Sequence, residues 1–196
     1  LHHNSIAKEF FAMPTVKEHD KAKEIYLTPD ELQGLYDMQL EGIEEKVRDV
    51  FLIGCYVGQR FSDYSKINAG CIGHTEKGTK VIRVVQQKTS EAVVFPILDE
   101  KLEALLKKYD YNVPNVTDIV LNRKIKSICE KLSRDVPSLA RKERTLLKHN
   151  EKELESKGRK TFERDKQGFV VKPRYAMVSS HTARRTAINS RSLKSH

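Results

Sequence analysis

Residues 50–67 read VFLIGCYVGQRFSDYSKI. The first half is apolar on every side, which a helix tolerates only where its whole circumference is covered. Just upstream, IEEKVRDV (43–50) is amphipathic, and the apolar face made by Val47 and Val50 continues into Phe51. The stretch predicts a helix that enters a core and is buried at its C-terminal end. Gly58 suits the left-handed position that stops a helix, and QRFSDYSKI (59–67) predicts a second, short helix. Arg60 stands directly after the buried end. A guanidinium placed there needs a partner. Asp63, three residues on, is one candidate. Alternatively Asp63 orients the guanidinium, or caps the short helix, while Arg60 points into a cleft.

Outward from this stretch the pattern stays mainly helical. In LTPDELQGLYDMQLEG (27–42), Thr28 is placed as N-cap, Pro29 as first helical residue and Glu31 as the third, a capping box. Between Asn68 and Leu98 the texture changes to short β-branched runs, AGCIGHT, KVIRVVQQ and AVVFPIL, separated by EKGT and KTSE. These predict three short antiparallel strands. DEKLEALLKKY (99–109) returns to helix with Asp99 as cap. VTDIVLNRKIKSICEKLSRDV (116–136) is a further amphipathic helix, with Ile119, Ile125, Ile128 and Leu132 assigned to its apolar face. Residues 140–168 are the most charged, and read as a solvated helix followed by an exposed loop or hairpin. An insertion lying along a nucleic-acid backbone is the functional alternative. FVVKPRYAMVSS (169–180) reads as extended. Residues 1–26 show little periodicity and read as an extended entry or linker. The fold class expected is α+β, mainly helical, with a small three-stranded antiparallel sheet.

Composition narrows the function classes. The chain of 196 residues carries a net charge of +9. Residues 1–140 are nearly balanced, with 20 basic and 21 acidic residues. Residues 141–174 hold 12 basic and 6 acidic, and residues 175–196 hold 4 basic and no acidic. All the excess lies in the last 56 residues, which points to a polyanion partner there. The three cysteines have no zinc or disulfide spacing, and read as reduced, buried thiols of a cytoplasmic protein. No apolar run is long enough to span a bilayer. His2 and His3 are either native or a tag remnant and support no metal site.

SSHTARRTAIN (179–189) places His181, Arg184 and Arg185 on one side of a helix near its start. Free N–H groups at a helix N-terminus attract anions, and the guanidinium fork matches two phosphate oxygens. Lys88 sits at or near the tip of a predicted hairpin. Each feature alone also suits an ordinary solvated surface.

Taken in order, LIGCYVGQRFSDYSKI, QQKTSEAVVFPI and SSHTARRTAI resemble the three catalytic motifs of the tyrosine recombinases, the phage and mobile-element integrase family. The resemblance runs from Leu27 to about Asn189, and implies that residues 27–196 are the catalytic domain and residues 1–26 the linker from a preceding DNA-binding domain. It implies that Arg60, Lys88, His181 and Arg184 are catalytic, with Asp63 supporting the first arginine. Arg185, usual in this subgroup, joins Lys172, Arg174 and Lys160 as expected DNA-backbone contacts. The implied reaction is site-specific recombination through a covalent 3′-phosphotyrosine, needing neither ATP nor a metal ion. The implied partners are double-stranded DNA and further copies of the protein, a tetramer on DNA, with no membrane. The family's nucleophilic tyrosine falls on a later helix. None of Tyr56, Tyr64 and Tyr175 occupies that position, so the tyrosine is expected beyond His196 and this stretch alone is expected to be inactive. Two other readings remain open. One is a DNA-binding module of a mobile element without chemistry. The other is a type IB topoisomerase-like enzyme, which uses similar residues to relax DNA.

Overall fold

The computed structural model describes residues 24–193; the expected linker 1–26 lies outside them except for residues 24–26. In chain order the helices and strands are α1 (Pro29–Asp37), α2 (Gly42–Val57), α3 (Phe61–Tyr64), β1 (Ile72–His74), β2 (Lys80–Val85), β3 (Ala92–Pro96), α4 (Glu100–Lys108), α5 (Asp118–Leu132), β4 (Lys142–Arg144), α6 (His149–Ser156), β5 (Val171–Pro173), α7 (Arg174–Met177) and α8 (Ser180–Leu193). Short 3-10 turns occupy Ala69–Cys71 and Pro137–Ala140. These elements form two compact units, one of residues 24–142 with 173–193 and one of residues 143–172.

The first unit is built around α2. Val47, Val50, Phe51, Leu52, Ile53 and Val57 are all fully buried, and α8, α5, α1 and α4 pack around the helix. An apolar circumference is stable only when neighbours cover all of it, which this position provides. Gly58 ends α2 in the left-handed region (φ 74°), its N–H donating to the Gly54 carbonyl at 3.0 Å. Gly54 also lets the Tyr64 ring approach, since a Cβ there would lie 2.6 Å from the ring. The capping box forms as expected. Thr28 Oγ1 accepts from the Glu31 N–H at 3.3 Å, and Glu31 Oε2 accepts from the Thr28 N–H at 2.9 Å.

Two charged residues of α2 are buried with it. Arg48 donates to Asp49 at 2.5 Å and to the carbonyls of Leu35, Tyr36 and Met38. Those carbonyls close the C-terminal end of α1, where intrahelical donors run out. Asp49 also accepts from Lys108 Nζ and Tyr109 Oη, both at 2.6 Å. Pairing of this kind makes burial of the charges tolerable.

The three expected strands form a sheet in the order β1-β2-β3, antiparallel throughout, with Ile72 opposite Ile82 and Val84 opposite Val93. Its inward face is Ile82, Val84 and Phe95. In α5 the inward stripe is Leu121, Ile125, Ile128, Cys129 and Leu132. Ile119, assigned to that face from the sequence, is 79% exposed. It lies two residues before Leu121, a spacing that turns it to the other side of the helix. Residues 169–180 are also less extended than expected, because α7 forms between β5 and α8.

The 143–172 unit contains the solvated helix α6 and the loop that follows it, and its edge strands β4 and β5 pair. Several of its charges pair within the unit. Arg144 pairs with Asp165 at 2.5 Å, Arg164 with Glu155 at 2.8 Å, and Lys172 with Glu151 at 2.6 Å.

Candidate active site

Arg60 is the residue before the first turn of α3, with extended backbone (φ −68°, ψ 152°). It is half-buried, and among the described residues its side chain has no hydrogen-bond or ion-pair partner. Asp63 does not pair with it. The buried Asp63 carboxylate turns to the hairpin instead. Oδ1 accepts from the Gln87 N–H at 3.0 Å and from the Ser62 hydroxyl at 3.2 Å, while Oδ2 is buried without a partner. A backbone N–H in need of an acceptor binds a carboxylate without the side-chain entropy that an arginine fork would lose.

Lys88 belongs to the loop joining β2 and β3. It is exposed, and no described residue pairs with it. The loop is tied down close by. Gln86 Nε2 donates to Gln59 Oε1 at 2.7 Å, and Lys66 Nζ donates to Gln87 Oε1 at 3.3 Å.

α8 carries His181 and Arg184. Its start is anchored to α5, where Asn122 Oδ1 accepts from the Ser180 N–H at 2.8 Å. Thr182 Oγ1 accepts from the Ser179 N–H at 3.1 Å. No acidic residue stands in the first turn. His181 is exposed, and Arg184 is half-buried without a partner among the described residues. The contact of α8 with α2 is the most extensive between helices. Thr186 stands at its centre. Burial pushes the Cys55 thiol of α2 well above its usual range, and the Thr186 hydroxyl beside it partly offsets this. Cys55 is five residues before Arg60, and Thr186 two after Arg184.

The remaining cations expected at DNA have carboxylate or aromatic neighbours. Arg185 forms a two-pronged ion pair with Glu24, one prong at 2.9 Å. The absence of nearby acids in the sequence gave no sign of it. Arg174 is 6% exposed and held by Glu31 at 3.0 and 2.8 Å and by the Tyr26 carbonyl at 2.8 Å. Its fork is thus occupied by partners inside the protein rather than presented at the surface. In the 143–172 unit, Lys172 pairs with Glu151 and its ammonium lies 5.1 Å from the Phe162 ring centroid. Lys160 stands 5.0 Å from the same centroid, with its residue exposed. Arg60 and Arg184 are thus the only arginines among the described residues that are half-buried and have no partner.

Of the tyrosines named in the sequence, Tyr56 and Tyr64 do not lie ready as nucleophiles. Tyr64 is fully buried, its hydroxyl without a partner. Burial raises the Tyr64 and Tyr56 phenols far above their usual range. Gln59, Gln86, Asn122 and Thr186 are site-building residues that sequence reading missed, since neutral amides and hydroxyls carry no periodic or charge signal. Among the described residues no helix is long and apolar enough to cross a membrane, and no group of three His, Cys, Asp or Glu could hold a metal ion.

No family model and no curated protein matches the sequence. Solved structures do. The XerH site-specific recombinase bound to difH substrate, in a pre-cleavage complex, aligns at a TM-score of 0.50 with 13% identity over 89% of this chain. The same recombinase on palindromic difH, in a post-cleavage complex, aligns at 0.48 with 13% identity over 86%. The chain spans 45% and 42% of the two recombinase chains. With its helices around α2 and its three-stranded antiparallel sheet, the chain has the fold of a tyrosine-recombinase-like catalytic domain.

Proposed function

We propose that this domain binds one phosphodiester of double-stranded DNA and belongs to a site-specific recombinase that cuts and rejoins strands through a 3′-phosphotyrosine. The observation that carries the reading is the pair Arg60 and Arg184. Each residue is half-buried and has no counter-charge among the described residues; Arg184 lies on α8, and Arg60 follows the C-terminal end of α2 by three residues. A half-buried cation without a partner is a cost to the fold. A phosphate with two non-bridging oxygens relieves it, because each guanidinium fork binds such oxygens well.

In the reaction, a tyrosine Oη attacks phosphorus. The Oη–P bond forms and the bond from phosphorus to the 5′ oxygen breaks. Arg60 and Arg184 stabilise the extra charge on the non-bridging oxygens, the interaction that grows most in the transition state. Lys88 gives a proton to the departing 5′ oxygen, leaving a neutral amine, and His181 takes the phenol proton, becoming an imidazolium beside the phosphate. The strand-joining step runs the same transfers in reverse. The phosphodiester energy is kept in the covalent bond, so no nucleotide is consumed.

A nicked duplex that loses its short 5′ product traps the covalent adduct. With the full-length protein, Arg60→Ala and Arg184→Ala should each lower adduct formation by at least about 10²–10³-fold. Adduct at wild-type levels in either variant refutes the assignment.

A further inference from the structure

Gln86 makes four hydrogen bonds around the loop that carries Lys88. Its N–H donates to the Glu91 carbonyl at 2.9 Å, and its carbonyl accepts from the Ser90 N–H at 2.8 Å. Its side-chain Oε1 accepts from the Thr89 hydroxyl at 3.0 Å. Its Nε2 donates to Gln59 Oε1 at 2.7 Å, in a partly buried contact. The next residue, Gln87, gives its N–H to Asp63 at 3.0 Å. Positions 59 and 63 flank Arg60, so the loop is fastened on both sides of that arginine.

The fastenings differ in place. The Asp63 bond and the exposed bond from Lys66 to Gln87 Oε1, at 3.3 Å, both hold the loop at Gln87, on the C-terminal side of Arg60. The partly buried Gln59–Gln86 bond holds it from the N-terminal side of Arg60. Lys88 has no partner of its own among the described residues. Its long stem would otherwise leave the ammonium free to sweep a wide volume. Ser90 completes the loop in the left-handed region (φ 56°), a conformation kept when the surroundings determine it.

We infer that Gln86, acting through Gln59, is a positioning residue that holds the loop of Lys88 in register with the turn of Arg60. The inference rests on the proposed role of Lys88 as proton donor to the leaving 5′ oxygen. Loss of register is expected to slow the proton transfer, since misplacement of a reacting group by about 1 Å costs up to roughly 100-fold.

The test compares two duplexes under single turnover with the full-length protein. One has the natural bridging 5′ oxygen, the other a bridging 5′ sulfur. A thiolate, whose conjugate acid has a pKa of about 8.5, leaves without a proton. On the oxygen substrate Gln86→Ala should cut about 10- to 100-fold more slowly than wild type, with DNA affinity within about twofold. On the sulfur substrate it should recover, as Lys88→Ala should. Gln59→Leu breaks the same bond from the other end and serves if Gln86→Ala folds poorly; its sulfur rescue should match. Wild-type cleavage of the oxygen substrate by Gln86→Ala overturns the inference. So does slow cleavage that sulfur does not rescue, which would assign Gln86 another role. If Lys88→Ala itself cuts the oxygen substrate normally, the failure lies in the proposed role of Lys88, and the inference falls with it.

Discussion

Arg174 and Glu31 stand 143 positions apart and join by two hydrogen bonds, at 3.0 and 2.8 Å, with the carboxylate wholly buried. Ser138 adds a hydroxyl to the same carboxylate at 2.8 Å. The bond ties the capping box of α1 to the start of α7, next to the point where the chain returns from residues 143–172. Arg174→Met should therefore destabilise the protein by about 3–5 kcal/mol, because it leaves a buried carboxylate without its cation. Urea unfolding measures this, and a loss under about 1 kcal/mol contradicts the role described for the pair. The salt slope of DNA binding by the folded variant should not change.

The same carboxylate sets a pH dependence. Burial alone pushes Glu31 upward, but the bonds from Arg174, Thr28 and Ser138 outweigh it and hold the group below its usual range. A folded-state pKa below the unfolded one stabilises at pH values above the unfolded pKa, about 4.3. That stability is lost as pH falls through the folded value. Melting temperatures should fall below about pH 5 in the wild type. Glu31→Gln should start lower at neutral pH and show a shallower acid decline. An identical acid limb in the two proteins rules Glu31 out as a contributor.

Arg60→Ala and Arg184→Ala should leave thermal stability unchanged or slightly raised, within about 0.5 kcal/mol of a surface substitution. Neither side chain has a partner to lose among the described residues. Calorimetry on the purified variants decides the point. A drop of 2 kcal/mol or more would mean that the guanidinium is a structural anchor.

Gly54→Ala should destabilise by about 1–3 kcal/mol or more. The added methyl would lie 2.6 Å from the Tyr64 ring, whose hydroxyl is already buried without a partner. Tyr64 adjoins Asp63, so the displacement should also loosen the Lys88 loop. Faster hydrogen exchange at the Gln87 amide would report it, and unchanged exchange would separate the two effects.

Glu24→Gln should strengthen binding to a labelled DNA duplex at low salt while changing stability by no more than about 1 kcal/mol. The substitution frees the fork of Arg185. If that fork then meets a phosphate, the plot of log affinity against log salt steepens by about 0.9. An unchanged slope means that Arg185 serves only to hold the leading segment, whose Leu27 N–H also donates to Thr186 at 3.0 Å.

Local and periodic features were determined by the sequence alone. The run from Val50 to Val57 required a helix covered all round, Gly58 its stop, Thr28 and Glu31 a capping box, and the β-branched runs after Asn68 a three-stranded sheet. Each follows from interactions within about four residues or from a repeating pattern of burial. The partners of the charged groups were decided only by the tertiary structure. Asp63 faces Gln87 rather than Arg60, Arg185 found Glu24 and Arg174 found Glu31, the last two across most of the chain. An ion pair depends on which surfaces meet after packing, and no local rule encodes that. For the same reason the sequence could mark Arg60 and Arg184 as cations of interest, while their half-burial and their lack of partners among the described residues became visible only in the packed fold.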